Sequence, residues 1–355
     1  MVKTELVTRR SRNPAIRDDR PLIHLTPMPR LLRTLALVAA SIALAVPSCV
    51  LAQGAYPVRP IRLVVPFPPG AGTDGVARFV AQKLSESMGQ IVVIDNRTGA
   101  GGAIGAAEVA KAEPDGYTLL FVAGPFTTVA ASQKNPGYDP IRQFVPVAPI
   151  AAGPLAFVVN VDVPVNSMRE LVELAKREPG KLNYGSAGTG SINHLALELL
   201  KARTGVEIVH VPYRGIADAT KDLLGGQIQT MTASIPATLP QMQEKRVKVL
   251  AVTSAKRIAQ MPNVPSWQEE GVPDANVVNY WGIVAPAGTS KDLVNRLNAI
   301  MNKSLMAEES LQRFEKNGLE LATTTPQGFH DLLESDLRMW TKIIKDAKIT
   351  VDVLP

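Results

Sequence analysis

The sequence has a single cysteine, Cys49, and it falls inside an apolar stretch near the N-terminus. The chain after it therefore holds neither disulfides nor thiolate metal sites, and no cysteine nucleophile. Histidine is scarce, at four residues, and His194, His210 and His330 lack the spacing of a metal-binding set. No apolar run reaches the roughly 20 residues a membrane-spanning helix needs. A basic nucleic-acid-binding face is missing too. Met1–Ala52 hold eight Lys/Arg and three Asp/Glu, so of 38 basic and 32 acidic residues 30 and 29 remain in Gln53–Pro355. The formal charge of +6 belongs to the leading segment, and the body is near neutral.

That leading segment has its own pattern. Arg30 and Arg33 precede Leu35–Val46, and small residues follow to Ala52. A positive region, a short apolar region and a small-x-small ending describe a secretory signal, with cleavage expected after Ala52. Met1–Pro27 are polar and aperiodic, and Met28 is the expected true start. Lipidation at Cys49 is the minor alternative, because Pro47-Ser48 fits that signal poorly.

Beyond Ala52, short apolar runs alternate with helical periodicity, as in βα units around largely parallel sheets. Ile61–Val65, Ile91–Ile94 and Tyr117–Val122 read as strands, with helices over Thr73–Met88 and Ala103–Ala112 between them. A second set runs from Leu155–Asn160 through helices Ser167–Arg177, Ser191–Thr204 and Ala217–Leu224 to a strand at Val247–Thr253. Tyr280–Ala285 and three C-terminal helices, near Lys291–Met306, Ser310–Asn317 and Gln327–Ala347, complete the chain. The order predicts two lobes, 53–155 plus 278–355 and 156–277, with crossovers near Ala151–Leu155 and Ala275–Tyr280.

Three glycine-rich turns each join a strand to a helix: Pro66–Asp74, Asn96–Gly102 and Tyr184–Ser191. A helix start leaves its first amides without intrahelical acceptors and carries partial positive charge. Glycine lets such a backbone approach a ligand closely. Two facing turns of this kind would make an anion pocket of main-chain amides, with hydroxyls of Thr73, Ser186, Thr189 and Ser191 adding directional bonds. Ser, Thr, Asp and Gly are also ordinary capping and turn residues, so a single turn of this type carries little weight.

Enzyme readings are weaker. Gly70-Ala-Gly72-Thr-Asp-Gly75 with Asp95 matches a dinucleotide fingerprint, but Pro66, Pro68 and Pro69 replace the tight strand-to-helix turn, and an export signal points away from nicotinamide cofactors. A hydrolase would need an activated nucleophile, and Ser186 lacks the G-x-S-x-G elbow. His194 lies one turn after Ser191, where packing or capping is the commoner role.

In combination, Pro66-Phe-Pro-Pro-Gly-Ala-Gly-Thr-Asp74, Asp95-Asn-Arg-Thr-Gly-Ala-Gly-Gly102, Pro114-Asp-Gly-Tyr-Thr-Leu119, Tyr184-Gly-Ser-Ala-Gly-Thr-Gly-Ser191, His210-Val-Pro-Tyr-Arg-Gly215 and Leu223-Leu-Gly-Gly226 resemble the extracytoplasmic receptors of tripartite tricarboxylate transporters, the Bug proteins. The resemblance covers essentially the whole chain after Ala52. It implies an α/β, two-lobe periplasmic-binding-protein fold of the Venus-flytrap type II class, with mixed sheets flanked by helices. It implies a periplasmic, monomeric solute receptor, neither enzyme nor cofactor binder, that delivers a small organic acid to membrane permease subunits. A sensor passing its liganded state to a signalling partner is the alternative. Carried onto this chain, the carboxylate-holding turns are Phe67, Gly70, Ala71, Gly72, Thr73 and Asp74, and Ser186, Gly188, Thr189, Gly190 and Ser191, with His194 beside the second. Gly124, Thr127 and Ser234 are expected to face the far end of the ligand. Ala71 stands where many members have glycine.

Overall fold

The computed structural model describes residues 56–70, 72–272 and 277–351. The expected signal, Met28, Cys49 and Ala71 lie outside them. The described residues form one compact unit.

Strand β1 (Ile61–Val65) pairs in parallel with β2 (Val92–Asn96) and β3 (Thr118–Ala123). Between them run α1 (Gly72–Met88) and α2 (Ala103–Val109), the latter entered through a 3-10 turn at Ala100–Gly102. Helix α3 (Pro125–Ser132) leads to a 17-residue strand, β4 (Phe144–Asn160). Then come α4 (Met168–Arg177), β5 (Asn183–Ser186), α5 (Ile192–Thr204), β6 (Val209–Pro212), α6 (Ile216–Leu224), β7 (Thr230–Ser234), α7 (Ile235–Gln243) and β8 (Val247–Val252). The chain returns as β9 (Val278–Pro286), α8 (Lys291–Leu305), α9 (Glu308–Lys316), β10 (Glu320–Leu321) and α10 (Pro326–Asp346).

The strand order is β2-β1-β3-β9-β4-β7-β5-β6, with β8 and β10 also on β4. Strand β4 changes partners midway. Phe144–Pro154 run antiparallel to β9, ending at Pro154↔Val278, and from Leu155 the partners are β7 and β8. Its first half was not expected as strand, because Pro146 and Pro149 remove ladder donors. The structure accommodates both at register shifts, Pro146/Ala148 and Pro149/Ala151, where bulges tolerate proline.

Each half-sheet is buried on both faces, which explains the near-continuous apolar strands. In the first lobe Leu63 faces a core with Phe79, Leu84 and Trp281, while its neighbour Val64 faces one with Phe126, Tyr280 and Phe329. In the second, Phe157 packs with Leu171, Tyr184, Leu195 and Trp267, and Val158 with Leu223, Met231 and Val252. Successive strand residues serve opposite layers, as the pleat requires.

Helix α10 belongs to both. Phe329 and Leu333, in its first turns, join the first lobe's core, and Trp340 is buried in the second's. A third segment thus links the lobes beside the two crossovers that the strand pattern suggested. Among the described residues no helix is long and apolar enough to cross a membrane.

Candidate functional site

Five helix N-termini converge where the lobes meet. The first lobe contributes Thr73 of α1 and Pro125 of α3. The second contributes Ile192 and Asn193 of α5, Ile216 of α6 and Ser234, the N-cap of α7. With Phe67, Ala123, Leu155, Ala187 and Asn279 these enclose a cavity of about 30 Å³, room for one or two waters. Among the described residues no Lys, Arg, Asp or Glu lines it. Its polarity comes from the positive ends of helices and from neutral side chains, an environment that favours a negatively charged guest.

The first glycine turn is rigidly organised. Asp74, buried, accepts hydrogen bonds from the Gly70 amide (3.0 Å), Arg78 Nε (2.8 Å) and Asn96 Nδ2 (3.0 Å). Asn96 Nδ2 also donates to the Phe67 carbonyl at 2.9 Å. Burial pushes the Asp74 carboxyl upward, but the bonds from Arg78, Gly70 and Asn96 outweigh it and hold the group below the usual carboxylate range. Gly70 adopts φ +81, and its amide is spent on Asp74. What the turn presents to the cavity is Phe67 and Thr73, whose Oγ1 accepts from Trp281 Nε1 at 3.2 Å.

The third turn spends its donors internally. The Gly188 amide donates to Ser186 Oγ (3.1 Å), the Gly190 amide to His194 Nδ1 (3.1 Å), and the Ser191 amide to the Gly188 carbonyl (3.1 Å). Ser191 Oγ caps α5 by accepting from the His194 amide. Ser186, Gly188, Gly190, Ser191 and His194 therefore form the layer beneath the cavity, while the wall itself is Ala187, Ile192 and Asn193. Thr189 meets the first lobe, its carbonyl accepting from Gln133 Nε2 at 2.9 Å.

A stacked pair of imidazoles supports this layer. The rings of His194 and His210 lie 4.0 Å apart, and the Tyr184 ring lies 4.9 Å from His210 and 6.3 Å from His194. Burial pushes His194 down to about 4 and His210 down to about 3, so both are neutral near pH 7. Ser186 Oγ lies 2.7 Å from His210 Nε2, the distance of a nucleophile–base pair. The hydroxyl is fully buried, however, and Ser186 does not border the cavity. Nearby Glu198 is engaged by Tyr184 and Lys201 and makes no bond to either imidazole.

Of the remaining predicted positions, Ser234 lines the cavity, and Gly124 adjoins it, donating its amide to Asn279 Oδ1 at 2.9 Å. Thr127 turns away: its Oγ1 contacts the Gly124 carbonyl (3.1 Å), Tyr280 hydroxyl (2.9 Å) and Asp336 carboxylate. Gly72 sits at the seam between the lobes, where it and Gly70 border an outer groove of about 810 Å³. That groove shares Ile216 with the cavity and has Lys221, Asp218 and Arg313 on its walls. Asp95, the acidic residue of the dinucleotide-like pattern, is held by Arg62 and Arg97. Asn193 and Asn279 escaped the sequence reading. Each depends on a partner distant in sequence, Asn193 on the Thr232 carbonyl (2.7 Å) and Asn279 on Gly124. Among the described residues no group of His, Cys, Asp and Glu is placed to hold a metal ion.

Comparison with known proteins identifies the family. A family model described as the tripartite tricarboxylate transporter family receptor matches residues 76–349. A protein of Pseudomonas sp. (strain P51), named for the tcbD-tcbE intergenic region, is 40% identical over 299 residues, spanning 84% of this chain and 89% of its own. Among solved structures, the periplasmic binding protein BugD is 35% identical with a TM-score of 0.80, covering 83% of this chain and 99% of its own. An R. palustris protein solved with adipate is 37% identical with a TM-score of 0.80, over 83% and 99% of the two chains.

Proposed function

The chain belongs to the tripartite tricarboxylate transporter receptor family, and from that premise we propose that it captures a small carboxylate-bearing molecule between its lobes and delivers it to membrane permease subunits. The observation that carries this reading is the convergence of five helix N-termini, from both lobes, on a cavity without a single charged side chain. A carboxylate there exchanges water for fixed main-chain donors, and each charge-assisted hydrogen bond contributes about 1.5–3 kcal/mol. Thr73, Ser234, Asn193 and Asn279 supply direction, while Phe67, Ile192 and Ile216 pack the ligand body. The binding of adipate by the R. palustris neighbour supports a carboxylate as ligand.

A cavity of about 30 Å³ admits no organic acid unless the lobes part. Capture is then a cycle: the open form binds, the lobes (53–155 plus 278–355, and 156–277) rotate together, and donors of both are engaged only in the closed state. The outer groove is the entrance. The receptor acts in the periplasm after export and removal of residues 1–52. The test is thermal denaturation of the purified protein against adipate, malate and citrate, with the uncharged diamide of adipate as control. A ligand at 100 times its Kd adds about 2.7 kcal/mol of stability. The expected result is a shift with at least one carboxylate and none with the diamide; equal shifts, or none with any acid, overturn the reading.

A further inference from the structure

Two kinds of glycine in this chain contrast. At Gly89, Gly180, Gly205, Gly226 and Gly271 φ is positive and a methyl group would meet nothing within 4 Å, so the backbone alone calls for glycine. At the boundary between the lobes crowding is added, and at Gly215 and Gly72 it acts without any backbone demand. Gly215 has φ −179, which any residue adopts, yet a methyl group there would lie 2.3 Å from Cδ of Pro68 on the opposite lobe. Gly72 opens helix α1, where alanine is the better helix former, yet its methyl would lie 2.5 Å from Oγ of Ser234 and 3.3 Å from the Ala237 amide nitrogen across the gap. Gly190 and Gly188 combine both demands, at φ +81 and +111: a methyl on Gly190 would meet Ser132 Oγ at 2.4 Å, and one on Gly188 the Gly101 amide nitrogen at 3.0 Å.

Each contact joins one lobe to the other, and they lie on both sides of the cavity. Gly72 and Gly215 flank the entrance; Gly188 and Gly190 meet the far side, where Gln133 donates across to Thr189. The second glycine turn finds its role here. Gly99–Gly102 borders no part of the cavity described above, but Gly101 is the surface on which the third turn rests.

We propose that these glycines form a steric seam that sets how far the lobes close, and so fix ligand affinity without touching the ligand. The seam rests on the two-lobe capture reading but is separable from it. Gly72, Gly188, Gly190 and Gly215 are positioning residues: with hydrogen at each, the backbones meet (Gly188 on that of Gly101), and the donors of both lobes reach one ligand. A methyl group on Gly215 overpacks the seam against the stiff Pro68 ring, and one on Gly72 displaces the Ser234 hydroxyl and then presses on the Ala237 backbone at 3.3 Å, so the closed state bears the cost.

The experiment uses Gly215→Ala and Gly72→Ala, which impose no backbone strain, with Gly225→Ala, at φ −85 and in ordinary contact, as control. Spin labels at Glu113→Cys and Glu178→Cys, in the chain from Gln53, which holds no other cysteine, report the distance between lobes with and without saturating adipate, malate or citrate. In the wild type a short-distance population is expected. In the two seam variants it is depleted, and the dissociation rate of whichever acid binds rises about ten- to hundredfold, with the association rate and ligand-free melting temperature unchanged. Retention of the short distance and of the wild-type dissociation rate in both variants overturns the seam, as does absence of a short distance from the wild type in every condition. Loss of closure in the variants with no acid binding the wild type leaves the seam standing and removes the carboxylate reading; the converse removes only the seam.

Discussion

Asp336 offers a sharp test of how α10 packs against the first lobe. Its carboxyl lies on α10 against Thr127 and close to Tyr280, and burial pushes it up to about 6, against an ordinary value of 3.8, with the Thr127 hydroxyl bond partly offsetting the shift. A folded-state pKa raised above the unfolded one means the native protein holds the proton more tightly. That contribution to stability is fully present below about pH 3.8 and is lost as pH rises through 6. Above pH 6 the ionised carboxylate costs the native state about 3 kcal/mol, from roughly two pKa units at about 1.4 kcal/mol each. Asp336→Asn removes the titration while keeping an oxygen that accepts from Thr127. Thermal denaturation of wild type and variant at intervals from pH 4 to pH 8 is the assay. Near pH 4 the two should melt together; by pH 7.5 the variant should melt about 5 °C higher, at about 2 °C per kcal/mol for a chain of this length. Histidine titrations occur in both proteins and cancel in the difference. A difference that does not change with pH, or a variant less stable at pH 7.5, would refute the reasoning.

Two further outcomes are expected. The stacked imidazoles of His194 and His210, held down to about 4 and about 3, favour the native state fully above pH 6.5 and lose that contribution as pH falls towards those values, so His210→Gln should flatten the loss of stability between pH 6 and 4, read by circular dichroism, at some cost at neutral pH. Asn279→Ala removes the acceptor of the Gly124 amide and one polar wall of the cavity; carboxylate affinity, measured calorimetrically, should fall about tenfold or more, and an unchanged Kd would place the ligand elsewhere.

Much of this architecture was legible because its signals are local. Apolar runs mark strands covered on both faces, Ser167 and Ser191 cap the helices they precede, and Gly205 ends α5 in the left-handed conformation that glycine supplies. Helix α3 was missed, since Pro125 at its first turn and Thr127-Thr128 give no helical periodicity; α7, with Pro240 inside it, was hidden likewise. The glycine turns were recognised, but their division of labour was not. Sequence reveals that Ser186 and Ser191 carry hydroxyls; only packing reveals that His210 and the His194 amide already occupy them. Asn193 and Asn279 resemble ordinary polar residues until β7 and α3 are brought beside them.

The placement of α10 constrains how this molecule can move. A 21-residue helix is a stiff rod of about 30 Å, and here one end is embedded with Phe329 and Leu333 while Trp340 is embedded with the opposite body. Two bodies joined only by strands swing widely; two bodies that also share a rod pivot about it, and any wider swing must first pull an indole out of an apolar socket. For lobes that part as proposed, the rod's grip on Trp340 is the contact a wide swing would have to break, which favours a short arc.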